Sequence, residues 1–132
     1  MQQRFLEEAR QAVLIEQLAA LLKYPQDRAQ LLVVAGRKRD HLQQLKDLIE
    51  CFGGTIPALE PPALTDRTWQ GLCAALEGEM KDVERFHELR LLLQDDPIIA
   101  EQLEVMIDNE RLNVSELRGV LSELDPYAYR EA

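Results

Sequence analysis

The sequence predicts an all-α protein, a single four-helix bundle over residues 1–132. Four long segments repeat apolar residues every three or four positions, which is the spacing of one buried helix face. Proline or glycine closes each segment, and both residues interrupt helices. Aromatic residues make up only 5% of the chain, while Leu and Ala are abundant, which favours helices over sheet.

The first helix is predicted over about residues 3–23. Its predicted buried face consists of Leu6, Ala9, Val13, Glu16 and Ala20. Tyr24-Pro25 should end it, because proline disfavours helix at the preceding residue, and Asp27 should cap the next helix. A link this short makes the first two helices antiparallel neighbours.

The second helix is predicted over about residues 27–52, with a polar pair in the middle of its apolar face. That face consists of Val34, Lys38, His41, Leu45, Leu48 and Phe52. Gly53-Gly54 supplies a left-handed stop. The prolines of segment 55–64 favour an extended path that spans on the order of 35–40 Å at about 3.1 Å per residue. The segment can therefore return along the bundle and make the second and third helices parallel.

The third and fourth helices are predicted over about residues 66–94 and 97–124. Thr65 or Asp66 should cap the third, and Asp96 the fourth, with Pro97 at its first position. The third buried face is Trp69, Leu72, Leu76, Glu79, Val83 and Phe86. The fourth is Ile99, Leu103, Met106, Glu110, Asn113, Leu117, Val120 and Leu124. Asp125-Pro126 should end the fourth helix, and the tail 127–130 should fold against the outside or fray.

Charge and composition exclude several classes of partner. The formal net charge of -9 repels nucleic-acid backbones and anionic membranes, so we expect neither as a partner. No apolar run reaches membrane-spanning length, and no signal peptide opens the chain, so we expect a cytoplasmic protein. Cys51 and Cys73 form no CxxC pair, and we expect two reduced thiols.

Polar residues interrupt each apolar face near the middle of its helix, which predicts one buried polar layer. The members are Glu16, Lys38, His41, Glu79, Glu110 and Asn113. Three buried carboxylates without partners would be prohibitively unfavourable, so the layer needs a cation: a metal, a lysine or protons. Two interpretations remain open, a metal site and a metal-free polar cluster.

The positions of these residues are similar to those of di-iron carboxylate bundles, which place one Glu on each of two helices and Glu-x-x-His on the other two. The relevant segments are Glu16-Gln17-Leu18-Ala19, Lys38-x-x-His41-x-x-x-Leu45, Glu77-Gly78-Glu79 and Asp108-Asn109-Glu110-x-x-Asn113-x-x-x-Leu117. Through them the chain resembles the ferritin-like superfamily, and within it the small rubrerythrin-like proteins. The resemblance implies a ferritin-like bundle.

Two ligand positions depart from the family pattern. Lys38 stands where the family has Glu, and Asn113 where it has His. Carried over residue by residue, the resemblance leaves Glu16, His41 and Glu110 to hold one iron or manganese ion, with Glu79 as an outer ligand. Three carboxylates and one ammonium leave about two negative charges, which one divalent ion would neutralise, so we expect at most one ion.

Two functions of different classes follow. The first is a rubrerythrin-like protein with a degenerate site, a remnant oxidoreductase of the di-iron carboxylate type that serves iron handling or oxidative-stress defence. The second is a non-catalytic helical scaffold, or a dimerisation or partner-binding module, with a metal-free polar layer. The family also implies a homodimer, whose interface we expect to contain Leu14, Leu18, Leu21 and Leu42.

Overall fold

Four α-helices form a bundle in the computed structural model, which describes residues 1–61 and 63–124. They are α1 (Gln2–Leu21), α2 (Pro25–Cys51), α3 (Thr68–Leu92) and α4 (Pro97–Glu123). The described residues include no β-strand. The predicted all-α fold and the four helices are thus confirmed, and no helix in the described part of the chain has the length and apolarity needed to cross a membrane.

The helix ends follow local chemistry. Pro25 occupies the first turn of α2, where its missing N–H costs nothing, so the helix starts before the predicted cap Asp27. Arg67, rather than Thr65 or Asp66, precedes α3. Asp96 caps α4 as predicted, since its carboxylate accepts hydrogen bonds from the backbone N–H groups of Ile98 and Ile99. Gly53 adopts the predicted left-handed conformation, with φ of 74°.

The bundle core consists of two apolar clusters with a polar layer between them. α1 packs against α2 and α3, and α4 packs against α2 and α3. One cluster includes Ile15, Leu31, Leu72 and Leu117. The other includes Phe5, Leu45, Phe86 and Leu103. The buried polar side chains described below lie on the helical turns between these two clusters, except Arg4, which directly precedes Phe5 on α1.

The predicted face of α1 is wrong by one residue. Its buried residues are Arg4, Phe5, Glu8, Ala9, Ala12, Ile15, Leu18 and Ala19. Glu16 is half-exposed and Ala20 is exposed. The physical reason is that α1 carries a second apolar strip, Leu6, Ala9 and Val13, of which Leu6 and Val13 are only partly buried. Two overlapping apolar strips made the sequence pattern ambiguous.

The predicted burial of two other residues, Leu18 and Phe52, is wrong. Leu18, predicted at a dimer surface, is fully buried. Phe52, predicted to be buried, is exposed because it follows the last turn of α2. The buried faces of α2 up to Leu48 and of α4 are confirmed. Cys51 and Cys73 are free and exposed. The predicted stop at 125–126 and the tail 127–130 lie outside the described residues.

Candidate functional site

A buried cluster of charged side chains spans all four helices. α1 contributes Arg4 and Glu8, α2 contributes Lys38 and His41, α3 contributes Glu79 and Asp82, and α4 contributes Glu110. Each pair on one helix is spaced by three or four residues, so both side chains project from the same face. Six of the seven side chains are less than 6% exposed, and that of Arg4 is 9% exposed. We call these seven residues the polar layer.

The Lys38 ammonium lies at the centre of the polar layer. Its Nζ is 2.9 Å from Glu8 Oε1, 2.7 Å from Glu79 Oε1, 3.0 Å from Asp82 Oδ2 and 3.0 Å from Glu110 Oε2. Burial lowers the pKa of Lys38, but these four carboxylates outweigh burial and raise it well above its ordinary value. Lys38 is therefore a fixed cation.

Three N–H donors serve four carboxylates, so the contacts of Lys38 are not equivalent. The ammonium donates hydrogen bonds to Asp82 and Glu110. Glu8 and Glu79 lie at ion-pair distance, but neither is aligned as a hydrogen-bond acceptor of the ammonium. Glu8 and Glu79 thus both lack a hydrogen bond from the ammonium, and a proton held by one of these carboxyl groups would reduce the number of unpaired acceptors.

Glu79 is the carboxyl group that holds this proton. Burial raises its pKa, the Lys38 ammonium lowers it, and a hydrogen bond with Glu110 raises it again, to about 9 in total. At neutral pH Glu79 is therefore a neutral acid.

His41 joins the layer through both ring nitrogens. Its Nδ1 lies 2.9 Å from Glu110 Oε1 and 3.4 Å from Glu8 Oε2. Its Nε2 lies 3.2 Å from Asn109 Nδ2, and its ring meets Phe86 edge-on at 5.9 Å between centroids. Burial lowers the pKa of His41, but the hydrogen bonds to Glu110 and Glu8 raise it to about 9. If the side-chain amide of Asn109 is flipped by 180°, its Oδ1 replaces Nδ2 beside the ring, and the imidazolium Nε2–H donates to that oxygen.

Asp82 links the buried centre to the outside. Its Oδ2 accepts from Lys38, and its Oδ1 accepts from Arg4 Nη1 at 2.9 Å. The Arg4 guanidinium also lies 6.0 Å from the centroid of Phe86, within cation–π range. A polar groove between α1 and α3, with a volume of about 310 Å³, is lined by both Arg4 and Asp82.

The formal charges of the polar layer cancel. Lys38, Arg4 and protonated His41 carry positive charge, and the ionised carboxylates carry an equal negative charge once Glu79 is neutral. Those carboxylates are Glu8, Asp82 and Glu110. A balanced layer avoids the large desolvation cost of an unpaired buried charge. It requires no additional cation.

Sequence reasoning placed most, but not all, of these residues. Lys38, His41, Glu79 and Glu110 come together as predicted. Glu16 does not: it lies outside the bundle core in an ion pair with Arg39, with side chains 40% and 43% exposed, and Glu8 takes its place.

Asn113 is buried as predicted, and its Oδ1 accepts a hydrogen bond from Arg37 Nη1 at 3.1 Å. Asp82 and Arg4 were missed. Asp82 follows Glu79 at helical spacing, which is the signal that could have found it.

Among the residues that the structure describes, two sets of three have ligand atoms close enough for a metal ion. Glu8, His41 and Glu110 form one set, and Glu79, Asp82 and Glu110 form the other, with ligand atoms within 4.8 Å in each. The second set does not fit a metal, because Lys38 Nζ lies within 3.0 Å of an oxygen of each member. The first set has the donor types that suit iron or manganese, but binding there requires His41 to lose its proton.

Comparisons with protein-family models, with curated proteins and with solved structures found no match. The ferritin-like resemblance therefore rests on the sequence segments quoted above alone.

Proposed function

We propose that the protein is a non-catalytic helical scaffold in which the Lys38 ammonium takes the place of a metal ion. The observation that carries this proposal is the set of four carboxylate oxygens within 3.0 Å of Lys38 Nζ. A fixed ammonium cannot change oxidation state, bind oxygen or polarise a substrate as a metal does. Its role is to hold the four helices in one register, which is a known use of buried polar groups.

The architecture that we propose is ferritin-like, with hairpins α1–α2 and α3–α4 joined by a long crossover. Two facts support it. Phe5 near the start of α1 shares a cluster with Leu48 near the end of α2, Phe86 in the second half of α3 and Ile99 near the start of α4. The segment between α2 and α3 contains no helix or strand in its described residues. An extended crossover would make α2 and α3 parallel.

A second candidate is a single-metal protein, favoured by the three ligand atoms of Glu8, His41 and Glu110. It differs from the sequence-based proposal in one ligand, because Glu8 replaces Glu16. The ion would have to bind beside the Lys38 ammonium, whose like charge disfavours it.

Metal content separates the two candidates. Protein is purified from cells grown with added iron and manganese, and its metals are measured by mass spectrometry. The scaffold proposal expects far less than one equivalent of metal per chain. One equivalent that is lost in His41→Ala and in Glu8→Ala, but kept in the matched variant Glu16→Ala, would overturn it in favour of the single-metal candidate.

A further inference from the structure

A cavity outside the polar layer lies between α1 and the connection from α2 to α3. Its volume is about 280 Å³. α1 supplies one wall with Leu6, Ala9 and Val13, and the connection supplies the facing wall with Leu59, Pro61 and Ala63. Leu6, Ala9 and Val13 form the second apolar strip of α1, and none of them belongs to either apolar core cluster.

The walls of this cavity are apolar, and its charged lining is mainly basic. Arg10 and Arg39 line it, against one carboxylate, that of Glu60. Short side chains stand on both walls, Ala9 on α1 and Ala63 on the connection, so neither wall fills the space. An apolar cavity with a few polar groups at defined places is the usual form of a small-molecule site, and about 300 Å³ is the lower end of the usual size range.

Both arginines retain the capacity to bind an anion. Arg39 contacts Glu16 through Nε and Nη2, which leaves Nη1 to donate elsewhere. Arg10 contacts Glu7 through Nη2 at 3.3 Å. Both ion pairs involve half-exposed or exposed guanidinium groups, and such pairs are weak and readily exchanged. Guanidinium groups bind carboxylates through charge-assisted hydrogen bonds.

We propose that this cavity binds a medium-chain fatty acid, with the chain between the two apolar walls and the carboxylate on Arg10 and Arg39. The proposal does not depend on the state of the polar layer, since none of the cavity residues belongs to it. It gives the scaffold a ligand whose binding covers the second apolar strip of α1.

The test is equilibrium binding of octanoate and of the uncharged 1-octanol to the full chain. We expect saturable binding of octanoate at one site and weaker binding of 1-octanol. Arg10→Gln/Arg39→Gln should weaken octanoate about tenfold or more, the usual effect of losing a charge-assisted hydrogen bond, and leave 1-octanol unchanged. The matched control Arg85→Gln, in the polar groove on another face, should leave both unchanged.

Filling the cavity gives a second test. Val13→Phe should abolish binding of both ligands, and Ala63→Phe should do the same from the exposed connection without altering a helix. Loss of binding in folded Ala63→Phe, checked by circular dichroism, supports the site even if Val13→Phe fails to fold. Absence of saturable octanoate binding at millimolar concentration, equal affinity for 1-octanol, or unchanged binding in Ala63→Phe would each overturn the proposal.

Discussion

Glu8 and Lys38 face each other from α1 and α2, with Oε1 2.9 Å from Nζ and neither side chain exposed to solvent. They lie at equal distances along the chain from Lys23, in the turn between their helices. Glu79 and Glu110 are likewise equidistant from the turn at Gln94 and Asp95. Each short turn thus places two of these residues at the same level, and packing of the two pairs brings three carboxyl groups within 3.0 Å of one ammonium. The consequences of this arrangement can be tested.

Replacing the central cation should destabilise the protein strongly. Lys38→Met keeps most of the side-chain volume but leaves four buried carboxyl groups without the ammonium. We expect a loss of ~3–5 kcal/mol in the free energy of unfolding, the usual cost of removing one partner of a buried ion pair. Urea unfolding at neutral pH measures it. Lys46→Met, at an exposed position on the same helix, is the matched control and should change stability by less than about 0.5 kcal/mol.

The four carboxyl groups should respond differently to neutralisation. Glu79→Gln should cost little at neutral pH, because the amide resembles the protonated acid in shape and is uncharged like it. Glu110→Gln should cost much more, since Glu110 accepts from both Lys38 and His41. Urea unfolding of both variants provides the comparison. Equal losses would show that Glu79 is ionised in the folded protein.

Stability should fall as the pH rises from about 6.5 to about 9. The folded pKa of His41 is about 9 against 6.5 in the unfolded chain, so its stabilisation is complete below 6.5 and is lost as the pH passes 9. Glu79, with a folded pKa of about 9 against 4.5, also binds its proton more tightly in the folded state. Loss of the proton from either group therefore lowers the free energy of unfolding as the pH rises across this interval.

Unfolding free energies measured at the two ends of this interval check the pH prediction. Each proton released on unfolding contributes a slope of about 1.4 kcal/mol per pH unit. Glu79→Gln removes one of the two titrating groups, so its profile should be flatter than that of the wild type. A stability that rises between pH 6.5 and 9 would contradict the assigned protonation states.

Introducing the two residues of the di-iron carboxylate pattern should create a metal site. Lys38→Glu/Asn113→His removes the ammonium and adds one carboxylate and one imidazole, so apo protein should be less stable and iron(II) should raise its melting temperature. Anaerobic thermal unfolding with and without iron(II) measures this rise, which should be larger than in the wild type. Adding Glu8→Ala should remove the iron response, whereas adding Glu16→Ala should not. The opposite pattern would mean that Glu16 is the ligand.

How far the sequence predicts this molecule depends on how unambiguous each helix face is. α4 has one apolar face: every residue predicted to lie on it is buried, and Ile107 is the buried residue that the prediction missed. α1 has two apolar faces, and its residue pattern does not choose between them. The turn does, because Glu8 and Lys38 lie equally far along the chain from Lys23, whereas Glu16 lies closer to it. Asp82 was missed because the apolar neighbour Val83 was placed on the buried face instead. The proton on Glu79 depends on the distances to Lys38 and Glu110, which a residue pattern does not contain.

The state of the Lys38 amine tests the account most directly. In protein labelled with nitrogen-15 at lysine, the buried ammonium should give an NH₃⁺ signal that is protected from exchange at neutral pH and absent in Lys38→Met. One equivalent of manganese(II), which broadens nearby signals, should leave it sharp. Absence of a protected ammonium, or its selective broadening by manganese(II) in wild type but not in Glu8→Ala, would contradict the claim that Lys38 replaces the metal.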